Sequence, residues 1–225
     1  QLLDPFNHKY TGIVPLSSGA GTTLPAAATT AGLSASASSG TRFNNDIQYT
    51  GTFGPVTVRA EYALGEVAGD TSRSAAQAVG ASYTGGPLLL AGTYTKKETA
   101  TGFDNKAYVV GGGYKFGELQ FKAGYSNEEQ ATAAAGDFEN NVAWAGASYQ
   151  LSPALELTAA YYRSKFESRT TTGTRNLAIV GAAYALSKRT NLYAEVDLNR
   201  YKGALIPAST QTRQTGFSAG VMHLF

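Results

Sequence analysis

The chain has 225 residues, of which 15% are charged, and its formal net charge at pH 7 is +2. A charge this small gives no reason to expect nucleic acid as a partner, and the absence of cysteine excludes disulfide bonds and thiolate metal sites. No window holds the run of about 18 apolar residues that a transmembrane helix needs.

Residues 1–41 show no regular alternation of polar and apolar side chains and are rich in Ala, Ser, Thr and Gly, as in the stretch 34–40. Small polar residues without a period predict a loop rather than a helix or a strand. We therefore expect a long loop over residues 1–41. Because no stretch of the chain has the composition of an interdomain linker, we expect a single domain over residues 1–225.

From residue 42 onward the pattern changes to short segments in which polar and apolar residues alternate, which predicts β-strands with two different faces. Near the C-terminus, for example, Val196 and Leu198 share one face of such a segment and Asp197 lies on the other. An all-β fold is predicted. The eleven expected strands are 42–50, 55–65, 76–84, 88–95, 106–116, 118–127, 141–151, 154–164, 175–186, 190–201 and 215–225.

Short and long connections alternate between these strands. The short turns are Gly54-Pro55, Gly85-Gly86-Pro87, Phe116-Gly117, Ser152-Pro153 and Ser187-Lys188-Arg189. The long polar loops lie near 66–75, 96–105, 128–140, 165–174 and 202–214. A soluble sandwich or barrel has no reason to place every long loop at one end, whereas a transmembrane antiparallel β-barrel of an outer membrane does. The mean hydropathy of -0.19 fits such a barrel, because its lipid-facing and lumen-facing residues average out.

Aromatic residues repeat with the same spacing as the turns. One set is predicted just before the short turns and at the end of the last strand: Tyr49, Tyr83, Tyr114, Tyr149, Tyr184 and Phe225. A second set precedes the long loops: Tyr62, Tyr94, Tyr125 and Tyr161. Two such rows are the girdles expected where amphipathic rings meet the two surfaces of a membrane.

Charged residues fall on the face opposite the apolar one. These candidates for the wall of a pore are Arg42, Asp46, Arg59, Glu61, Lys115, Lys122, Glu156, Glu195 and Asp197. They are compatible with two roles: ion pairs that stabilise a solvated wall, or a set of charges that shapes the electric field of the pore. The sequence leaves both roles open.

No residue pattern indicates catalysis or a cofactor. His8 and His223 lie at opposite ends of the chain and make no metal-ligand cluster, so no metal is expected. The run Gly111–Gly113 is followed by Tyr114 and Lys115, which fits no phosphate-binding loop. Glycines inside a strand are more typical of curvature or of a close approach by another part of the backbone.

Four segments carry a resemblance to a known family. Gly216–Phe225 resembles the C-terminal strand of outer-membrane proteins, with His223 as in the β-proteobacterial version, and Tyr184–Ala194 is similar to the penultimate periplasmic hairpin of general porins from that group. Asn44–Tyr49 resembles the strand after their constriction loop, and Asp4–Phe6 resembles the start of that loop. The chain thus resembles general diffusion porins of the Gram-negative outer membrane.

The resemblance implies a barrel of about 16 strands, with a constriction loop folded into its lumen. Residues 1–41 are the candidate for that loop, and Asp4 would then face basic wall residues such as Arg42. The first residues do not resemble the signal peptide of a secreted protein. If residues 1–41 are the constriction loop, five strands precede it in a barrel of 16. We therefore expect that this chain carries eleven strands of the barrel and lacks the first five.

The function implied by the resemblance is a water-filled channel for passive diffusion of ions and small hydrophilic solutes, without enzymatic activity. The implied partners are outer-membrane lipid and lipopolysaccharide, two further copies in a homotrimer, and the solutes in transit. An outer-membrane β-barrel enzyme or an adhesin or receptor is the alternative. An enzyme needs polar residues clustered at the outer rim, and a receptor of this kind needs a plug domain.

Overall fold

A computed structural model describes residues 3, 43, 45–65, 67–99, 102–131, 137–207 and 209–225. The strands are β1 (Asp46–Phe53), β2 (Val56–Ala63), β3 (Ala76–Gly85), β4 (Leu88–Glu98), β5 (Asp104–Phe116), β6 (Leu119–Gln130), β7 (Phe138–Ser152), β8 (Leu155–Glu167), β9 (Thr172–Ala185), β10 (Thr190–Gly203) and β11 (Arg213–His223). They form one sheet in the order β1 to β11, and each strand pairs antiparallel with its neighbours in sequence. The all-β, antiparallel prediction is confirmed. Within the described residues, no helix is long and apolar enough to cross a membrane.

The tight turns follow from the glycines predicted to occupy them. Gly54, Gly86 and Gly117 have φ values of 58°, 56° and 58° and stand first in the two-residue connections after β1, β3 and β5. A type II′ hairpin turn requires this left-handed conformation at its first central position, and glycine adopts it without a steric penalty. Open space surrounds a Cβ built on each of the three glycines, so the backbone conformation alone selects glycine there.

Most strands extend further toward the long loops than the alternation predicted. β6 continues to Gln130, β8 to Glu167 and β10 to Gly203, which is two or three residues beyond the predicted ends. Both faces are largely polar in these extensions, so hydrophobic periodicity carries no signal there. β1 is displaced in the other direction: it runs from Asp46 to Phe53 instead of 42–50, because residues 50–53 pair with β2 although their polarity does not alternate clearly.

The two faces of the sheet differ strongly in exposure. On β10, Leu198 is 52% exposed while its neighbour Asn199 is 3% exposed, and on β6, Phe121 is 50% exposed while Lys122 is 6% exposed. A flat single sheet would expose both faces alike, so the sheet curls with the polar face inside. We call the face with Leu198 and Phe121 the outer face and the face with Asn199 and Lys122 the inner face.

The strands are inclined to the axis about which the sheet curls. A row of paired residues on the outer face begins at Tyr83, two residues before the end of β3 at a short turn, and reaches Tyr161, in the middle of β8, after crossing β4 to β7. A row perpendicular to the strands shifts along them in this way only if the strands are staggered and therefore tilted to the axis of the curl. Tilted strands are what a closed barrel requires.

Within the described residues, β1 and β11 each pair on one side only. Inner-face residues near β1, such as Asp46 and Arg59, are exposed, whereas those on the central strands, such as Ser164 and Arg175, are buried. The curl of the sheet therefore encloses its middle strands, and the two end strands have backbone groups available for further pairing.

Two adjacent substitutions on β6 test the assignment of the faces. We expect the outer face to contact lipid, so Phe121→Arg should cost about 1 kcal/mol of unfolding free energy, the upper value for an arginine near the membrane surface, where its partner Tyr114 lies. Gln120→Arg places the same side chain one position away, on the inner face, and should cost much less. Both costs are measured by urea unfolding in bilayers, and equal costs would reject the assignment.

Candidate functional site

The inner face of the sheet carries most of the predicted pore-wall charges. Asp4 and Arg42 lie outside the described residues. The other eight, namely Asp46, Arg59, Glu61, Lys115, Lys122, Glu156, Glu195 and Asp197, all occupy inner-face positions by strand register. They are spread over six strands, so the register does not gather them into one cluster.

A polar chain that the sequence did not predict crosses from β9 to β10. The Arg175 Nε donates a hydrogen bond to the Oδ1 of Asn199 at 2.9 Å, and the Asn199 Nδ2 donates one to the Oδ2 of Asp197 at 2.7 Å. All three side chains are buried on the inner face. Hydrogen bonds of this kind offset the cost of removing charged groups from water. The hydrogen bond to Asn199 thereby fixes the Arg175 side chain against the inner face.

Next to this polar chain, the inner face is apolar across three strands, β7, β8 and β9. The apolar patch consists of Val142 and Trp144 on β7, Ala160 and Tyr162 on β8, and Leu177 and Ile179 on β9. These six residues are buried, and Ala91 and Val109 pack against them. An apolar area of this size on the inner wall requires a cover, because exposing it to water costs about 25 cal/mol per Å².

Leu3 supplies part of that cover. Its side chain belongs to the same buried cluster, and its carbonyl oxygen accepts a hydrogen bond of 2.9 Å from the Nε1 of Trp144. Leu3 therefore lies on the inner face of the sheet. The prediction that residues 1–41 form a loop inside the lumen falls otherwise on residues outside the described part of the chain, and there it stays a prediction.

A second apolar cluster lies at the end of the inner wall where the long loops are. Phe138 and Phe166 stack with their ring centroids 5.9 Å apart, and Leu205, from the connection after β10, is fully buried against them. The chain turns inward at Gly203, where φ is 60°, and passes so close to Gly173 that a Cβ built there would be 2.6 Å from the Leu205 nitrogen. This connection thus folds over the wall instead of projecting away from it.

The predicted girdle residues on the strands lie on the outer face. Tyr94, Tyr125 and Tyr161 are not at the ends of their strands, because four to six further strand residues follow each of them. Tyr49 lies four positions before the end of β1, so the exposed Phe53 stands next to the turn instead. Tyr108, which the sequence did not single out, lies on the same face with its ring centroid 6.1 Å from that of Tyr125. The rings of Phe225 and His223 pack in a T-shaped contact with their centroids 4.9 Å apart.

Beyond the tyrosines of the long-loop end, the outer face becomes polar. The Asp104 carboxylate lies 3.0 Å from the Lys96 Nζ and 3.4 Å from the Lys106 Nζ. On the next strands, the Asn127 Nδ2 donates hydrogen bonds to Glu139 at 2.8 Å and to Asn141 at 3.0 Å. Charged and amide side chains on this face indicate that the strands continue above the apolar band into a polar layer.

Arg175 and the apolar patch escaped the sequence analysis for the same reason. On β7 and β9 the inner face is bulky and apolar, as at Trp144 and Leu177, while the outer face carries small residues such as Ala145 and Ala178. An alternation between large apolar and small residues does not identify which face of the strand is the inner one. β8 supplies the missing information. Glu156 identifies the inner face of β8, and the pairing register then identifies the inner faces of β7 and β9.

Among the residues that the structure describes, no three acidic or histidine side chains come close enough together to hold a metal ion.

Comparisons with known proteins identify relatives of this sheet. The family model described as Gram-negative porin matches residues 7–204. A comparison of this chain with curated protein sequences gives no match. Among solved structures, the anion-selective porin of Comamonas acidovorans is similar with a TM-score of 0.67 and 21% identity, over 81% of this chain and 60% of that one.

Two further solved structures are similar at lower identity. OmpT, an outer membrane protein of Vibrio cholerae, has a TM-score of 0.66 and 15% identity over 79% of this chain and 63% of that one. The outer membrane channel DcaP of Acinetobacter baumannii has a TM-score of 0.60 and 14% identity over 79% of this chain and 60% of that one. This chain therefore corresponds to about three fifths of the length of each of these structures.

Leu205 should hold the connection after β10 against the wall. Leu205→Ala leaves a cavity beside Phe138 and Phe166 and should cost about 2 kcal/mol, at the lower end for a buried leucine. Local opening would then speed tryptic cleavage after Arg213 in the folded protein. Ile206→Ala, one residue along and only partly buried, is the control. Equal cleavage rates in the two variants would contradict the anchoring role.

Proposed function

This chain belongs to the Gram-negative porin family, and from that premise we propose that it forms most of the wall of a water-filled channel in the outer membrane. The channel passes ions and small hydrophilic solutes by passive diffusion. The observation that carries the proposal is the division of the sheet into an exposed apolar outer face and a polar inner face. Such a wall suits lipid on one side and water on the other.

The complete barrel is proposed to contain about 16 strands, as general porins do. The eleven strands of this chain have single-sided edges at β1 and β11 within the described residues. Five further strands between these edges would satisfy the backbone groups of both. Closure of this kind is required in lipid, where an open sheet edge has no water to bond with.

The described inner wall supports a channel of weak charge preference. Its basic residues are Arg59, Lys97, Lys115, Lys122 and Arg175, and its acidic residues are Asp46, Glu61, Glu128, Glu156, Glu195 and Asp197. Five positive charges against six negative ones give no strong bias in either direction. The Comamonas porin is anion-selective. For this protein we propose a mild anion preference that depends on Arg42.

The outer face is proposed to contact outer-membrane lipid along its aromatic rows and lipopolysaccharide above them. The rows include Tyr94, Tyr125 and Tyr161, and the polar layer above them carries Lys96, Lys106 and Arg163. Amphipathic rings suit the interface, and cations at this height suit the phosphate groups of the outer leaflet. The trimer form of the Vibrio protein supports the proposal of a homotrimer here.

A catalytic function is not proposed. The described charges of the inner wall are spread over several strands, and in the hydrogen-bonded group of Arg175, Asn199 and Asp197 the carboxylate of Asp197 accepts a hydrogen bond from Asn199. The family and this arrangement both favour a passive pore over an outer-membrane enzyme or a receptor.

Planar-bilayer recording on the full-length protein tests the proposed function. We expect step increases in current that are ohmic and scale with the conductivity of the salt solution, as in a wide aqueous pore. Purified folded protein that inserts without producing such steps would refute the channel proposal.

A matched pair of arginines tests which face lines the pore. Arg59 lies on the inner face of β2 and Arg163 on the outer face of β8, and both are exposed. Arg59→Glu should shift the reversal potential in a salt gradient toward cation preference, and more so at low salt, where the Debye length is longer. Arg163→Glu should leave the reversal potential unchanged. Identical effects of the two variants would contradict the assignment of the faces.

A further inference from the structure

A row of arginines crosses the outer face on the last four strands. Arg163 of β8 and Arg200 of β10 are both paired with Asn176 of β9, and Arg200 is also paired with Arg213 of β11. All three arginines are exposed. Because neighbouring strands lie about 4.8 Å apart, the row brings three guanidinium-bearing side chains onto one short line of the outer face.

A second row of cations lies next to the first, on the side of the long loops. Lys165 of β8 and Lys202 of β10 are both paired with Thr174, and both are exposed. Lys165 forms an ion pair of 2.8 Å with Glu167. Among the described residues of β8 to β11, Glu167 is the one acidic residue on the outer face. We call the five cations the basic patch: Arg163, Lys165, Arg200, Lys202 and Arg213.

The polar layer of the outer face has a different charge on β4 to β7. There, Lys96 and Lys106 are both paired with the Asp104 carboxylate. The two lysines are outnumbered by the acidic outer-face residues of these four strands, which are Glu98, Asp104, Glu129 and Glu139. The positive charge of this layer is therefore concentrated on β8 to β11.

The arginine row is unfavourable unless an anion is bound to it. Like charges directly opposite each other on neighbouring strands repel, and Arg200 and Arg213 are such a pair. Within the described residues, the ion pairs of the strands in this layer involve lysines and not these arginines. The Tyr161 hydroxyl donates a 2.9 Å hydrogen bond to the Asn176 Oδ1, which leaves the amide Nδ2 as a further donor in the row. Arginine binds phosphate through two parallel hydrogen bonds, so the row suits a phosphate group.

The basic patch borders the apolar part of the outer face. The next row toward the short turns contains Tyr161 and Leu198, and the row after that contains Val196 and Phe217. These side chains are exposed, and each row is about 6.6 Å further along the strands. A ligand that uses both regions carries phosphate at one end and acyl chains at the other.

We propose that the basic patch binds the phosphate groups of lipopolysaccharide, with the acyl chains of the same molecule lying along the apolar rows of β8 to β11. The cations supply the attraction and the arginine row supplies the selectivity for phosphate. The outer face of β4 to β7 lacks this excess of positive charge. The inference rests on the proposed contact between the outer face and the outer leaflet, and it does not depend on conduction.

Lipopolysaccharide binding to the full-length protein tests the patch. The protein is refolded in micelles free of lipopolysaccharide and titrated with the purified lipid in the presence of EDTA, so that divalent cations do not bridge phosphates to carboxylates. Arg200→Gln/Arg213→Gln should weaken binding about tenfold, since each cation near a charged lipid surface contributes about 1 kcal/mol.

The control is Lys96→Gln/Lys106→Gln, which removes the same number of charges from the same layer, on the strands where Asp104 compensates them. It should bind lipopolysaccharide nearly as the unaltered protein does. Folding is checked first by the mobility of the unheated protein on SDS gels, and Arg213→Gln alone replaces the double variant if that does not fold. Equal losses of affinity in the arginine and lysine variants would overturn the proposal.

Thermal unfolding gives a second readout, in which the sign of the effect changes. Without lipopolysaccharide, the arginine variant should unfold at a higher temperature than the unaltered protein, because the repulsion between Arg200 and Arg213 is removed. With an excess of lipopolysaccharide the order should reverse, because the unaltered protein gains more from the ligand. The same order under both conditions would contradict the proposal. Dissociation of the oligomer by the variant in micelles free of lipopolysaccharide would assign the patch to a contact between subunits instead.

Two further ligands identify the chemistry. Dephosphorylated lipopolysaccharide should bind equally to the unaltered protein and the arginine variant, and inorganic phosphate should not raise the unfolding temperature above that in chloride of equal ionic strength. A difference that survives dephosphorylation, or stabilisation by inorganic phosphate as large as that by the lipid, would refute the proposal. A protein that conducts but does not distinguish the variants would refute the patch and leave the channel, whereas binding without conduction would refute the channel and leave the patch.

Discussion

The fold depends on one constraint, which is that every backbone N–H and C=O group must find a hydrogen-bond partner within the protein when the chain is surrounded by hydrocarbon. Neighbouring antiparallel strands meet this requirement from β1 to β11, with one register shift between Gln150 and Ser152 on β7. Two-residue turns at Gly54, Gly86 and Gly117 keep adjacent strands in pairing up to their ends. The same constraint applies at β1 and β11, each of which pairs on one side only within the described residues.

The geometry of a strand then distributes the side chains between the two faces of the sheet. Successive residues point to opposite faces, so Leu198 is placed on the outer face and Asn199 on the inner face by position alone. The inner face can therefore hold polar chains such as Arg175–Asn199–Asp197. Where the inner face is apolar instead, as at Trp144, another part of the chain covers it, and Leu3 does so in this protein.

The sequence predicted the fold class, the strand number and the faces of β2, β6, β8 and β10, because on those strands charged or polar residues alternate with apolar ones. It did not predict the faces of β7 and β9, since Trp144 and Leu177 are inner-face residues that look lipid-facing beside small alanines. It also placed several strand ends too early, because Asn127 and Glu128 are both polar although they lie on opposite faces. The Leu3 contact was beyond reach, since Leu3 and Trp144 are 141 positions apart in sequence.

The central claim is that alternate residues of one strand face lipid and water, and a cysteine scan of β2 from Val56 to Tyr62, where none of the inner-face residues is buried, tests it most directly. The 225 residues contain no cysteine, so this part of the protein contributes no background labelling. In the full-length protein reconstituted in bilayers, a charged, water-soluble thiol reagent should label the odd-numbered positions rapidly and the even-numbered positions slowly. Equal labelling along the strand, or fast labelling at the even-numbered positions, would contradict the account.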